Sequence, residues 1–391
     1  MTDAQIDTTA EWRGEDWPEF RAGPPWVMAE MIAAQPALVE PILGNPVAPD
    51  IAERILLAAQ RGAPVVVAGC GTSEHGAQAI AALLDDGLRQ QGLRGGLVEA
   101  RQALEAAFDP RPGGICLAIS HDGGTRATLL AAEAAHAAGA DVVAITGRAD
   151  GAIASVADVA FVTPALDRSW CHTLAYGSMM LAGAAIGSAI AGGALIATAV
   201  AQGLIEAQEA TTNQAPPIAE RLGAQRPILV CGFGADEITA RELALKMEEG
   251  PRAPCVARHL ETLLHGHLVA CDASVGLILI ALDDVGAARR DARLALAAEA
   301  AARLGMRTAA LLSPAAAAAL DPALTPGGRV TLPEAPASPL PRLWPLLNGA
   351  AALQTLTLAA IAQAGVNPDL IRREEASYRE AAAIAEGASD W

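Results

Sequence analysis

The chain has 391 residues, 52% of them hydrophobic but only 3% aromatic, and a formal net charge of −17. That length is enough for two domains whose cores are built from Ala, Leu, Val and Ile. The negative balance excludes a nucleic-acid backbone or an anionic membrane as the main partner, because both need a basic surface.

The opening residues are acidic and polar and carry no basic-then-apolar leader, so residues 1–48 read as an N-terminal arm. Residues 64–69 (Pro-Val-Val-Val-Ala-Gly) predict a buried strand, followed by a Cys-Gly-Thr-Ser-Glu turn and an Ala-rich helix. A strand over 115–120, a helix around 131–138, Gly139 and a strand over 141–146 follow. The uncharged stretch 179–201 is long enough to span a bilayer but is mostly Ala and Gly, and it reads as a buried helix. Thr-Thr-Asn-Gln-Ala-Pro-Pro then interrupts the helical pattern and marks a join around 200–226.

Beyond the join the pattern repeats. Residues 227–232 (Pro-Ile-Leu-Val-Cys-Gly) form the second strand–turn–helix start, and aligning Gly69 with Gly232 pairs Gly71 with Gly234, Glu74 with Glu237 and Ala77 with Ala240. Residues 276–282, 294–304, Gly305 and 308–312 match the later elements of the first copy. Strands and helices alternating at this spacing predict an α/β fold of two tandem units, each a doubly wound parallel sheet covered by helices on both faces. The expected divisions are 49–203, 204–365 and a tail, 366–391.

The copies differ at their turns. The first carries hydroxyls, Thr72 and Ser73 after one strand and Ser120 and Thr125 in Ser120-His121-Asp122-Gly123-Gly124-Thr125 after another; the second has Ala235-Asp236 and Asp283-Asp284. Hydroxyls and free amides at a helix N-terminus suit an anion and aspartates do not, so the first copy is expected to hold one at the carboxyl ends of its strands.

The second copy holds the only lysine, Lys246; the other basic side chains are arginines. Glu242, Lys246 and Glu249 are spaced i, i+4, i+7 and share one helix face, which makes them either acid–base machinery or a solvated ion-pair stripe. The lysine's isolation favours the first reading, since an ammonium differs from a guanidinium in size, hydration and readiness to shift its pKa.

Other motifs carry less. Gly69-x-Gly71 lacks the third glycine of a dinucleotide fingerprint, because position 74 is Glu, and no Gly-Lys-Ser/Thr marks a P-loop. His265-Gly266-His267 has no paired ligand cluster at zinc spacing, so no metal and no cofactor is expected. The six cysteines form no Cys-x-x-Cys pair, which points to free thiols and a cytoplasmic protein.

At Gly69-Cys70-Gly71-Thr72-Ser73, the Ser120–Thr125 turn, Ala144-Ile145-Thr146, the Glu242–Glu249 helix and Leu264-His265-Gly266 the chain resembles the SIS (sugar isomerase) family. The nearest likeness is to the isomerase half of glucosamine-6-phosphate synthase and its stand-alone relatives. The resemblance implies two tandem SIS domains of flavodoxin-like strand order. It implies sugar-phosphate binding by Cys70, Gly71, Thr72, Ser73, Ser120, His121 and Thr125, with Asp122, Thr173 and Glu242 beside them. It also implies a proton moved between C1 and C2 by Glu249, assistance from Lys246, and ring opening by His265 from a second subunit of a homodimer. The 167–173 stretch and the tail 367–372 are expected beside and over the site.

Three departures qualify the likeness. No glutamine-hydrolysing domain is expected, since the sequence starts about where the synthase's would end; Ala376 stands where the family's tail lysine is expected, and Asp122 stands where a second phosphate-binding Ser is usual. A carboxylate about 4 Å from a phosphate is repelled by several kcal/mol at intermediate dielectric. Either Asp122 turns away, or His121 compensates as a cation, or the ligand is not a simple 6-phosphate and Asp122 binds hydroxyls. The expected function is isomerisation, with or without amine release, of a sugar or amino-sugar phosphate; the alternative is a non-catalytic sensor of such a ligand.

Overall fold

The computed structural model describes residues 18–223 and 227–386. The first 17 residues of the expected arm, residues 224–226 of the join and the last five of the tail lie outside the described residues.

Two five-stranded sheets are formed. The first comprises β1 (Val65–Gly69), β2 (Val98–Gln102), β3 (Ile115–Ile119), β4 (Asp141–Thr146) and β5 (Val159–Val162); the second comprises β6 (Ile228–Gly232), β7 (Cys255–His259), β8 (Gly276–Ala281), β9 (Arg307–Leu312) and β10 (Gly328–Thr331). Their orders are β2-β1-β3-β4-β5 and β7-β6-β8-β9-β10, and every pairing is parallel. The sheets are therefore copies of one topology, the doubly wound order expected from the repeat. The central strands β1, β3, β6 and β8 are buried along their whole length, which is why they read as unbroken apolar runs. Edge strand β2 is only partly buried and is the more polar Val-Glu-Ala-Arg-Gln.

The duplication extends to the geometry of the first turn in each unit. Gly71 and Gly234 both cap a helix with positive φ, 59° and 63°. A Cβ on Gly69 would lie 2.2 Å from the Ser73 carbonyl oxygen, and one on Gly232 would lie 2.3 Å from that of Asp236. Strand and helix thus approach too closely at this point for any side chain.

The low aromatic content has a matching consequence in helix packing. Helix Thr72–Gln90 lies against helix Leu174–Ala191 so closely that a Cβ on Gly87 would be 2.4 Å from the Gly187 carbonyl. The uncharged stretch 179–201 is not one helix. It stops at Gly192, which takes the left-handed conformation, and a new helix begins at Ala197. Helices Leu174–Ala191 and Leu343–Ala364 are long and apolar enough to cross a membrane, yet 89% and 78% of their apolar windows are buried inside the protein. Helix Ala197–Thr212 runs through residue 203 without a break and ends inside the join expected around 200–226, with the next helix starting at Ala215.

Helix Ala235–Glu249 of the second unit packs against both Thr72–Gln90 and Leu343–Ala364. This docking brings the two halves' turns together. Gly69→Ala is expected to lower stability by about 1–3 kcal/mol, the usual cost of overpacking, whereas Gly266→Ala, whose Cβ meets nothing within 4 Å, stays within about 0.5 kcal/mol of the parent. Urea unfolding of the two variants checks this; equal midpoints would contradict it.

Candidate active site

The expected helix stripe is buried. Lys246 is fully enclosed, its Nζ in short contact with Glu249 Oε2 and 3.6 Å from Glu242 Oε1. Glu242 is buried as well and reaches the first unit: Thr72 Oγ1 donates to its Oε1 at 3.3 Å, and His75 Nδ1 lies 2.7 Å from its Oε2. A carboxylate only accepts, so His75 carries a proton on Nδ1. Burial alone would lower the lysine's pKa, but Glu249 and Glu242 outweigh it and hold the ammonium protonated. Burial likewise works against the Glu242 carboxylate, and Lys246 with His75 reverses the balance and lowers its pKa. The cluster is an ion-paired network across the interface between the units, not a solvated stripe.

A second cluster forms around the β3 turn. Asp122 folds back into its own loop, where Oδ1 lies 3.0 Å from Ser120 Oγ, 3.1 Å from the Gly124 nitrogen and 3.4 Å from Thr125 Oγ1. Burial would raise its pKa, but the Gly124 amide and the Ser120 hydroxyl prevail and lower it. The Asp167 amide donates to His121 Nε2 at 2.7 Å, which fixes the ring's remaining proton on Nδ1. Burial and the neighbouring His172 push His121 down to about 4. His121 is therefore neutral, and the expectation that it offsets Asp122 as a cation is corrected. Asp167 is buried and receives the amides of Ser169, Thr173 and Ala175, shaping the turn that leads into helix Leu174–Ala191.

A cleft of about 460 Å³ opens beside this loop, lined by His121, Asp122, Arg148, Asp150, Trp170 and His172 among others. Lys246 and Glu249 are not part of its lining. The 170–173 segment links the two clusters: Trp170 and His172 line the cleft, while the buried thiol of Cys171 between them feels the charge of Lys246. The Thr173 hydroxyl is buried without a hydrogen-bond partner among the described residues, and so is that of Tyr176, whose pKa is pushed up by burial and by Glu242. The tail seals the edge of this region, since Trp170 N–H donates to the Asp369 carbonyl and Arg373 lies 4.9 Å from the Trp170 ring centroid.

The structure thus brings Thr72, Glu242, Lys246 and Glu249 into one cluster and Ser120, His121, Asp122 and Thr125 into another, with Thr173 between them. Gly71 and Ser73 shape the β1 turn, and Cys70 accepts a long contact from Gln102 Nε2 at 3.7 Å. His265 does not join either group. It is largely exposed and pairs with Glu261, which Arg293 also grips through two hydrogen bonds. Sequence reasoning missed His75 and Tyr176; it expected the 167–173 stretch beside the site without singling out Asp167, Trp170 or His172 within it. His75 lies on the same helical turn as Thr72, a signal that was present, but its partner is 167 positions away.

A two-unit α/β protein with parallel sheets of order 2-1-3-4-5, its turns facing one another across the interface, is the class that this geometry defines. A family model described as SIS domain matches residues 59–189. The fold of the whole chain is shared with the C-terminal domain of glucosamine-fructose-6-phosphate aminotransferase from Francisella tularensis, at 16% identity, TM-score 0.74, and coverage of 89% of this chain and 98% of that one. It is shared equally with a tagatose-6-phosphate ketose/aldose isomerase from Escherichia coli, at 19% identity, TM-score 0.72, and coverage of 90% and 97%. A glucosamine-6-phosphate deaminase from Thermotoga maritima is a further neighbour, at 18% identity, TM-score 0.64, and coverage of 88% and 96%. No curated protein matches the chain in sequence.

Lys246→Met removes the only cation between two carboxylates and is expected to cost about 3–5 kcal/mol, as breaking a buried ion pair does. The lowered pKa of Glu242 gives a sign for the pH dependence. Its contribution is present above the unfolded carboxylate value of about 4.3 and is lost as pH falls through the lower folded value. Urea midpoints measured from pH 3 to pH 7 should therefore fall on acidification in the parent and fall less in Glu242→Gln; identical profiles would contradict the assignment.

Proposed function

We propose that this chain is an aldose–ketose isomerase of a sugar or amino-sugar derivative. The observation that carries the reading is the fully buried, protonated Lys246 held between Glu249 and Glu242. A solvated stripe would need no burial.

The chemistry follows from the arrangement. Glu249, the partly exposed member, takes the proton from C2 of the open-chain sugar; the C–H electron pair forms the C1–C2 double bond, and the carbonyl π pair moves to O1. Lys246 steadies the negative charge that develops there. Glu249 returns the proton to C1, O2 is deprotonated as O1 is protonated, and the ketose results. Where C2 bears nitrogen, the same shift gives an imine that water hydrolyses to ketose and ammonia. Glu242 and His75 act as positioning residues, because Glu242 continues to neutralise Lys246 while Glu249 holds a proton.

Support for the sugar class comes from the SIS domain and from the names of the structural neighbours, which are sugar-phosphate isomerases and a deaminase. His265 enters the mechanism only if a second copy of the chain supplies it, since within one chain it lies on the outer face.

Glu249→Gln is expected to abolish exchange of the C2 proton with deuterated solvent, by at least the roughly 10²-fold attributable to a general base, while sugar affinity stays within a few-fold of the parent. Proton NMR of the sugar C2 signal with each protein follows the exchange. Exchange at the parent rate in Glu249→Gln would remove the carboxylate from its proposed role.

A further inference from the structure

We infer that the Ser120–Thr125 turn receives an unphosphorylated end of the sugar, hydroxyl or amino, because Asp122 already occupies the place an anion would take. This rests on the isomerase reading for the identity of the sugar, but the argument concerns the turn alone.

An anion at a strand-to-helix turn is held by hydroxyls and by amides at the start of the next helix. Ser120 Oγ, the Gly124 amide and Thr125 Oγ1 are three donors of that kind in this turn. The Asp122 carboxylate makes its contacts with these three, all through Oδ1. A phosphate entering the turn would have to expel that carboxylate or lie against it, two like charges side by side. His121 cannot relieve the repulsion, because its Nε2 is committed to the Asp167 amide. Arg148 is the one arginine or lysine lining the adjacent cleft among the described residues; His172 lines it as well, beside Asp122, Asp150 and Asp167.

The second unit gives an internal precedent. Asp236 accepts the amides of Leu282 and Asp283, and Asp283 accepts those of Ala235 and Val285. Both turns there are closed by the chain's own carboxylates. The β3 turn of the first unit is built in the same way.

What Asp122 still offers is acceptor capacity. Oδ2 makes no hydrogen bond among the described residues, and an ionised carboxylate accepts from hydroxyl or ammonium and repels phosphate. Trp170 supplies an aromatic surface in the same cleft, of the amphipathic kind on which a sugar's apolar face packs.

The test is isothermal titration of the parent, Asp122→Ser and Asp122→Asn with inorganic phosphate, D-glucosamine and D-glucosamine 6-phosphate. The parent is expected to prefer the unphosphorylated amino sugar and to bind inorganic phosphate no better than millimolar, and Asp122→Ser to bind phosphate about tenfold or more tightly than the parent by removal of the like charge. Asp122→Asn keeps an acceptor oxygen for the loop and should gain phosphate affinity in the same direction, which covers failure of the serine variant to fold. A parent that prefers the 6-phosphate, or folded variants that gain nothing for inorganic phosphate, would overturn the inference. Loss of isomerisation with the phosphate gain intact would instead count against the proposed activity.

Discussion

The structure depends on one buried charge. Bringing an ammonium out of water costs several kcal/mol, and in Lys246 that cost is offset only because Glu249 and Glu242 converge on it. Glu242 in turn is satisfied by Thr72 and His75, which belong to the other unit. The docking of helix Ala235–Glu249 onto helix Thr72–Gln90 is therefore specified by polar partners as well as by apolar packing. A slip of one helical turn along this contact would separate Glu242 from His75 and leave a buried carboxylate short of its hydrogen bonds. Such a network makes the register between the halves unique, which a contact between alanine-rich faces alone would not do.

The same interface also engages the β1 turn of the first unit. The β1 turn is stiffened by the close approach at Gly69, and it aims Thr72 and His75 at the second unit. The 170–173 segment lies between that network and the open cleft, with Asp167 organising its amides from below. Cys171 and Thr173 are buried, while Trp170 and His172 border the cleft. A ligand that reached from the cleft toward Lys246 would pass this segment, so the buried hydroxyls of Thr173 and Tyr176 stand where it would need hydrogen-bond partners.

Much of this was legible in the sequence, for physical reasons that can be named. Strands buried on both faces must be apolar throughout, so β1, β3, β6 and β8 stood out as unbroken runs. The matched glycines revealed the duplication because the strand–helix approach at Gly69 and Gly232 admits no Cβ. Helical periodicity placed Glu242, Lys246 and Glu249 on one face, but burial of that face is a tertiary fact and could not be read from spacing. His75 shares a helical turn with Thr72, but its pairing could not be read from the sequence because its partner lies in the other unit. The tautomer of His121 depends on a backbone amide 46 residues away. The helix break at Gly192 was overlooked because the apolar composition continues through it, and the left-handed cap, not hydropathy, ends the helix.

The two units began from one plan, and their divergence can be followed in how their turns are satisfied. In the second unit, Asp236 and Asp283 exchange backbone amides across neighbouring strand ends, and burial pushes the Asp236 carboxyl up to about 7 despite Arg290 nearby at 3.5 Å. That crevice is closed by the protein itself, and its carboxylates serve the fold. The helix that follows is then free to send its outer end, Lys246 and Glu249, toward the first unit. In the first unit the β1 turn gives up its threonine to Glu242, while the β3 turn is closed by Asp122 and keeps one carboxylate oxygen facing outward. The sole lysine, by contrast, sits at the interface between the units, where Glu249 and Glu242 hold it charged against the pull of burial.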